Sequence, residues 1–350
     1  VRTLRDIDRK LGLVPARVVT QLGRIDAAQG REGLFIRQAP AVLDRLVQVA
    51  RVQSAEASNA IEGVVAPSAR VKGLMAETTE PQNRSEAEIA GYRSVLDMLH
   101  RSAPDMPVTS GVVLQMHRDL YGFTGSPGGR WKSVENHIEE RNPDGTRTVV
   151  FETLPAFETP TAMDELNDLA REHLAAGRHH RLLVTGAYAL DFLCIHPFLD
   201  GNGRMARLLT LLLLYRCDYG VGRYISIEKA IEETRETYYD ALRASSAGWH
   251  DGSHDPWPWL EYFLGILVAV YARFEERVDT FAGRGAKTDA IERFVAGVPS
   301  GQTFRVGQVR DIAGGASDSH ISKVLARLRA EGAIEARGRG RGAHWVKAEG

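Results

Sequence analysis

The sequence predicts a mainly α-helical protein with one β-hairpin in its middle and a small mixed unit at its end. Three observations predict it. Apolar residues recur at helical spacing through most of the chain, as at Val42, Leu43, Leu46, Val47, Val49 and Ala50. The texture changes between residues 125 and 155, where Val149, Val150 and Phe151 follow the turn signal NPDG at 142–145. The Gly-rich stretch GRGAK at 283–287 reads as a linker, after which the pattern is different again.

In chain order, the spacing predicts a helix over Ala41–Ala57 and a short helical piece over Ser58–Glu62 closed by Gly63. Helices over Ser85–His100 and Ser110–Tyr121 follow, then a hairpin pairing Val134–Glu140 with Thr146–Thr153. Helices resume at Thr161–Ala176, Arg181–Cys194, Arg204–Tyr215, Ile227–Ala244 and Pro258–Phe281. Beyond the linker come a helix (Lys287–Ala296), a short β stretch (Thr303–Arg305), a helix (Val306–Ile312), the turn GGASD and a helix (Ser317–Glu331). A hairpin with GRGRG at its tip completes the order of a winged helix-turn-helix. The expected divisions are an N-terminal helical region at 1–100, a core at 101–282 and the winged helix at 286–350.

A chain of 350 residues is long enough for two or three domains, and 43% apolar with 25% charged residues is ordinary globular composition. Net charge is −1, so the whole chain has no strong pull on nucleic acid or membrane. From Arg284 onward the balance is +5, against −6 upstream, a basic tail on an acidic body. Cys194 and Cys217 lie in apolar surroundings without metal spacing, which suits free thiols in a reducing cytoplasm. No apolar stretch has the length of a membrane span.

The chemistry concentrates in HPFLDGNGRMAR at 196–207. LLVTGAYALDFLCI precedes it and LLTLLLLY follows, so a polar turn joins two buried helices. Pro197 disfavours helix at His196. Gly201 and Gly203 around Asn202 permit a turn whose amides point one way, and the next helix adds its free N–H groups and positive dipole end. Arg204 and Arg207, three apart, project from one face and can clamp anionic oxygens. Asp200 is a hard oxygen ligand suited to Mg²⁺ beside phosphates. His196 at the rim is placed to take a proton from a hydroxyl. Anion cradle, metal ligand and base together fit nucleotide phosphate chemistry.

HPFLDGNGRMAR resembles the HxFx(D/E)GNGRxxR signature of the Fic-domain family at every specified position. The resemblance implies His196 as general base, Phe198 as the buried anchor of the loop, Asp200 as the Mg²⁺ ligand, and Gly201, Asn202 and Gly203 as the anion hole for the α- and β-phosphates. It implies Arg204 on the β-phosphate and Arg207 on the γ-phosphate of ATP. The activity it implies is transfer of AMP from ATP to a Ser, Thr or Tyr hydroxyl of a protein. The intact GNGR favours this over the phosphorylating branch of the family.

Upstream, SNAIEG at 58–63 resembles the family's inhibitory motif (S/T)xxxE(G/N), with Ser58, Glu62 and Gly63 at the specified positions. It implies an N-terminal inhibitory helix whose Glu62 pairs with Arg207 and takes the place of the γ-phosphate. The family's hairpin flap would occupy 131–151, although Glu139 stands after Ile138 where many relatives have Gly. Tyr215, Tyr238, Tyr239 and Trp249 are candidates for an adenine slot. Expected partners are a protein target at the flap, DNA at the C-terminal domain through Ser317–Arg329 and Arg337, Arg339 and Arg341, and a second copy of the chain in a homodimer, with no membrane. The alternative reading is a nucleotide-sensing, DNA-binding regulator without transferase activity; intact His196 and Asp200 argue against it, since a pure sensor need not keep the base.

Overall fold

The computed structural model describes residues 1–38, 40–141, 145–313, 316–337 and 344–348. They fall into two compact units, Val1–Phe274 and Glu275–Gly350. The first opens with α1 (Ile7–Lys10), α2 (Ala16–Gln38), α3 (Pro40–Ile61), α4 (Ser68–Met75), α5 (Arg84–Ser102) and α6 (Ser110–Leu120). The hairpin of β1 (His137–Arg141) and β2 (Arg147–Glu152) comes next. Then follow α7 (Thr159–Ala176), α8 (Arg181–Ile195), α9 (Asn202–Arg216), α10 (Ile227–Glu233), α11 (Arg235–Ser246) and α12 (Trp257–Gly297).

Helix α8 is the centre of this unit. Every residue from Leu182 to Ile195 is buried. A helix apolar on all sides is stable only when other elements enclose it, and α7, α9 and α11 pack against it. Each large aliphatic side chain so buried contributes about 1.5–3 kcal/mol before entropy is counted. Helix α9 lies among α8, α5, α6 and α3. The loop joining α8 to α9 is therefore anchored at both ends in the best-packed part of the molecule.

Several boundaries differ from the sequence expectation, each for a local reason. Helix α2 was not anticipated, although Val18, Leu22, Ile25 and Ala28 supply its buried stripe. The pieces expected at Ala41–Ala57 and Ser58–Glu62 are one helix, α3, because nothing between them breaks the backbone. Helix α9 starts at Asn202, two residues early, with Gly201 at φ +83° as its cap. The single helix expected over Ile227–Ala244 is interrupted at Thr234, whose Oγ1 donates back to the Ala230 carbonyl at 2.9 Å.

The linker expected at 283–287 is helical. Helix α12 runs unbroken through it, and the compact units divide at Phe274/Glu275 instead. Two glycines cost a helix only about 1 kcal/mol each. Phe274 and Val278 bury the helix upstream of these glycines and Ile291 and Val295 bury it downstream, so burial on both sides outweighs that cost. Nor do the N-terminal helices form a separate region, since Val1 to Phe274 is one unit.

The second unit contains the end of α12, β3 (Thr303–Phe304), α13 (Val306–Ile312), α14 (Asp318–Ala330), β4 (Ile334–Arg337) and β5 (His344–Lys347). Its sheet is antiparallel in the order β3-β5-β4. Ile291, Phe304, Val309, Ile321, Leu325 and Ile334 form its core. Among the described residues, no helix is long and apolar enough to cross a membrane.

Candidate active site

The loop His196–Gly201 is held in part by Asn202, the first residue of α9. His196 ends α8 at φ +51°, a left-handed conformation that a non-glycine residue adopts at a cost. Its N–H still donates to the Phe192 carbonyl at 2.9 Å. Phe198 is fully buried, and Asn202 brackets it. The Phe198 N–H donates to Asn202 Oδ1 at 2.9 Å, and Asn202 Nδ2 donates to the Phe198 carbonyl at 2.7 Å. The Asn202 side chain is thus spent on the loop, and only its backbone amide is left to meet an anion. No side chain caps α9, so the amides of Asn202, Gly203 and Arg204 begin the helix without an intrahelical acceptor.

His196 is set up as a proton acceptor. Its Nδ1 lies 3.3 Å from the Leu193 carbonyl. A carbonyl only accepts, so Nδ1 carries the hydrogen and Nε2 keeps its lone pair. Burial, reinforced by the Lys132 charge, lowers the imidazole pKa to about 4. The ring is neutral at pH 7.

The two arginines face different partners. Arg207, 5% exposed, donates from Nε to Ser58 Oγ and from Nη2 to the Ser58 carbonyl, both at 2.8 Å, and from Nη2 to Glu62 Oε1 at 2.8 Å. Arg204, 1% exposed, donates from Nη1 to Glu88 Oε2 at 2.6 Å and to Asn59 Oδ1 at 3.3 Å, and from Nη2 to Tyr121 Oη at 3.1 Å. Arg207 Nη1 and Arg204 Nε are buried with no acceptor. Asp200 is exposed at 57% of its side chain and lies 3.4 Å from Arg84 Nη2 and 3.7 Å from Arg204 Nη2.

Glu62 reaches Arg207 because of how α3 ends. Gly63 sits at φ +77°, its N–H donates to the Ala60 carbonyl and the Val64 N–H to the Asn59 carbonyl. This is a Schellman closure, which favours glycine because the left-handed backbone carries no Cβ penalty there. It places Glu62 directly after Ile61, the last residue of the helix. Its carboxylate presses on α9 so closely that a Cβ on Gly203 would lie 2.1 Å from Glu62 Oε1. SNAIEG and HPFLDGNGRMAR, far apart in sequence, are one constellation in space.

The hairpin is bolted to the same loop. The β1–β2 register runs from His137↔Glu152 to Arg141↔Arg147, with a bulge between Ile138 and Glu139. Residues 142–144 of the expected NPDG turn lie outside the described residues. At the hairpin base, Lys132 is buried, with a pKa lowered by burial to about 8. Its Nζ donates to Asn136 Oδ1, Thr153 Oγ1 and the Ile195 carbonyl at 2.8, 2.8 and 3.1 Å. Asn136 Nδ2 donates to the Phe198 carbonyl at 2.8 Å. His117 is parallel to Phe198, ring centroids 3.7 Å apart. It accepts the Gly129 N–H at Nδ1 and donates from Nε2 to the Asp200 carbonyl at 3.1 Å.

Sequence reading singled out none of Asn59, Glu88, His117, Tyr121, Lys132 or Asn136. Asn59 alone carried a signal, its place inside SNAIEG. The others meet the loop only through tertiary contacts and follow no local spacing. Of the aromatic candidates, Tyr238 lines an apolar cavity that abuts Arg207 together with Leu193, Ile231 and Phe263, and Tyr239 packs edge-on against it. Tyr215 and Trp249 are core residues instead, Tyr215 beneath Arg223 and Trp249 donating to buried Asp191 at 2.6 Å.

The C-terminal helix expected at DNA is partly engaged within its own unit. Ser317 caps α14, His320 bonds Thr288 at 3.0 Å, and Arg327 pairs with Glu292. Ser319, Ser322 and Lys323 are exposed. Arg337 lies at the end of β4 beside Glu335, and Arg339 and Arg341 lie outside the described residues.

Residues 107–214 match the model of the Fic/DOC family. The chain is 26% identical over 218 residues to a protein of Drosophila grimshawi called "Protein adenylyltransferase Fic", covering 61% of this chain and 42% of that one. The same name and identity hold for a Drosophila mojavensis protein, of which 40% is covered. The chain thus spans about two fifths of the length of these curated relatives. Its fold is that of a Fic family protein from Desulfovibrio desulfuricans G20, with a TM-score of 0.64 at 21% identity over 97% of this chain and 98% of that one. Fic-1 from C. elegans superposes with a TM-score of 0.59 at 18% identity, covering 75% and 74% of the two chains. The loop between α8 and α9, carrying the full signature, lies inside the matched stretch, so residues 107–214 are a Fic/DOC-family domain.

Proposed function

We propose that this chain transfers AMP from ATP to a Ser, Thr or Tyr hydroxyl of a protein, and that Glu62 on Arg207 restrains it. The observation that carries the reading is the pair of buried, unpartnered donors Arg204 Nε and Arg207 Nη1 beside the uncapped start of α9. Buried donors without acceptors are costly. Donors gathered at a helix N-terminus suit phosphate oxygens. The name shared by the curated relatives, protein adenylyltransferase, supports the reaction type.

Mg²⁺ fits the donor set in a limited way. Among the described residues no three His, Cys, Asp or Glu side chains converge. A single exposed carboxylate, Asp200, suits a cation that keeps water and substrate phosphate oxygens as its other ligands. Such a cation would neutralise charge developing on the phosphates. The chain's own residues supply the rest. His196 Nε2 accepts the proton of the target hydroxyl, whose oxygen attacks the α-phosphorus while the bond to the β-phosphate oxygen breaks and pyrophosphate leaves. The amides of α9 and the two guanidiniums hold the phosphates in line. The target segment lies along the hairpin as an added strand, and the ties from Lys132 and Asn136 keep that strand in register with His196.

Incubation of the full chain carrying Glu62→Gly with α-labelled ATP, Mg²⁺ and a cell extract tests this. Label retained on protein after denaturation is the expected result. Retention of γ-label alone, or of neither, refutes AMP transfer.

A further inference from the structure

Resting on that reading of the phosphate cradle, we propose that Glu88 is a positioning residue for Arg204, fixing its guanidinium so that one edge stays free for the second phosphate of a nucleotide. Glu88 lies in α5 and is 3% exposed, in contact with an arginine buried to the same degree. Its two oxygens serve two cations. Oε2 accepts from Arg204 Nη1 at 2.6 Å, and Oε1 accepts from Arg84 Nε at 2.7 Å.

The donors of Arg204 are accounted for one by one. A guanidinium has five N–H groups in a rigid plane. Both Nη1 hydrogens are taken, by Glu88 and Asn59, and one Nη2 hydrogen is taken by the Tyr121 hydroxyl. Nη2 also lies 3.7 Å from Asp200 Oδ1, and Nε has no partner. The Arg204 carbon also sits 5.6 Å from the Tyr121 ring centroid. The side chain is therefore held by Glu88, Asn59 and Tyr121, with its Nε–H unspent.

Why a carboxylate stands there follows from energetics. A buried ion pair is often no more stabilising than apolar packing of the same volume, and the role proposed for this one is geometric. A long, flexible arginine loses much rotamer freedom on binding a ligand unless it is already fixed. Glu88 removes that freedom beforehand, as an outer partner does for a metal ligand, where loss of the partner costs about tenfold to a hundredfold. The benefit is specific to nucleotides long enough to reach Arg204. A nucleoside diphosphate gains from it, and a monophosphate does not.

The test compares ADP and AMP affinities by titration calorimetry, in the full chain carrying Glu62→Gly. Adding Glu88→Gln keeps the shape and one hydrogen bond but removes the charge. The expected result is an ADP affinity lower by about tenfold with AMP affinity unchanged, so the preference for ADP collapses. Tyr121→Phe, a milder change that leaves the ring, is expected to lower ADP affinity alone by a smaller factor. A folded Glu88→Gln protein with the parent's ADP-to-AMP ratio overturns the proposal, and so does equal loss of both nucleotides. If Glu88→Gln does not fold, an unchanged ratio in Tyr121→Phe overturns it. A Glu62→Gly parent that binds ADP no better than AMP instead refutes the cradle itself, and this inference with it.

Discussion

Glu62 Oε1 lies 2.8 Å from Arg207 Nη2, joining residues 145 apart in the chain. Arg207 is buried while Glu62 keeps about a third of its side chain in solvent. The pair is therefore fixed at one end and releasable at the other. The carboxylate holds the guanidinium expected to receive the terminal phosphate, and a bias of a few kcal/mol toward the paired state leaves only a small active fraction.

Glu62→Gly removes that competitor without touching the loop. We expect AMP transfer to rise by about tenfold or more, measured as α-label incorporated per minute at saturating ATP. Ser58→Ala, which takes one acceptor from Arg207 but leaves the carboxylate, is expected to raise it far less.

His196 provides a pH signature. Its pKa lies near 4 and its Nδ1–H is committed to Leu193, so Nε2 is available throughout the neutral range. In the Glu62→Gly background, the transfer rate should be flat from pH 8 down to about 5.5 and fall below about 5. His196→Ala should show no transfer at any pH yet bind ATP within about threefold of the parent. An acid limb centred on an ordinary imidazole value would contradict the lowered pKa of the base.

Asn202 tests whether the start of α9 holds the loop. Asn202→Ala deletes both bonds to Phe198. At about 1 kcal/mol per buried bond, with more for groups left unpaired, stability should fall by roughly 1–3 kcal/mol. The rate should fall by about tenfold or more, because His196 and Asp200 flank the anchored phenylalanine. Urea denaturation and single-turnover labelling measure the two effects separately.

A prediction away from the site concerns Glu32. It is 5% exposed, and burial raises its pKa to about 7 despite a bond from Tyr271 at 3.0 Å. In the unfolded chain it titrates near 4.5. Below that value both states are protonated and the group is neutral toward stability. As pH rises from 4.5 to about 7, the folded state resists ionisation that the unfolded state accepts, and stability is lost; above about 7 both states are ionised and the loss is constant. Glu32→Gln imitates the protonated acid. It should raise stability at pH 8 by up to about 3 kcal/mol and change it little at pH 4.5, as read from melting curves at the two values.

The reach of the sequence can be judged residue by residue. His196, Asp200 and the GNGR turn were legible because they are contiguous and their chemistry depends on local backbone geometry, a helix end followed by a helix start. Glu62 was legible only as a motif, since its partner lies far downstream. Glu88, His117 and Lys132 gave no sign, because a buried ionisable residue on a helix looks like any surface one until its neighbours are known. The GRGAK stretch read as a linker because glycine is a poor helix former, a preference that burial on both sides outweighed.

The sequence by itself determined the helical class, the hairpin and the reactive loop, since each rests on periodicity or on turn chemistry within a dozen residues. Tertiary structure alone decided that α3 ends against α9, that both arginines are occupied in different ways, and that the hairpin is tied to the loop. Those facts depend on which buried donors meet which acceptors, and close packing fixes such matches only when helices distant in the chain come together.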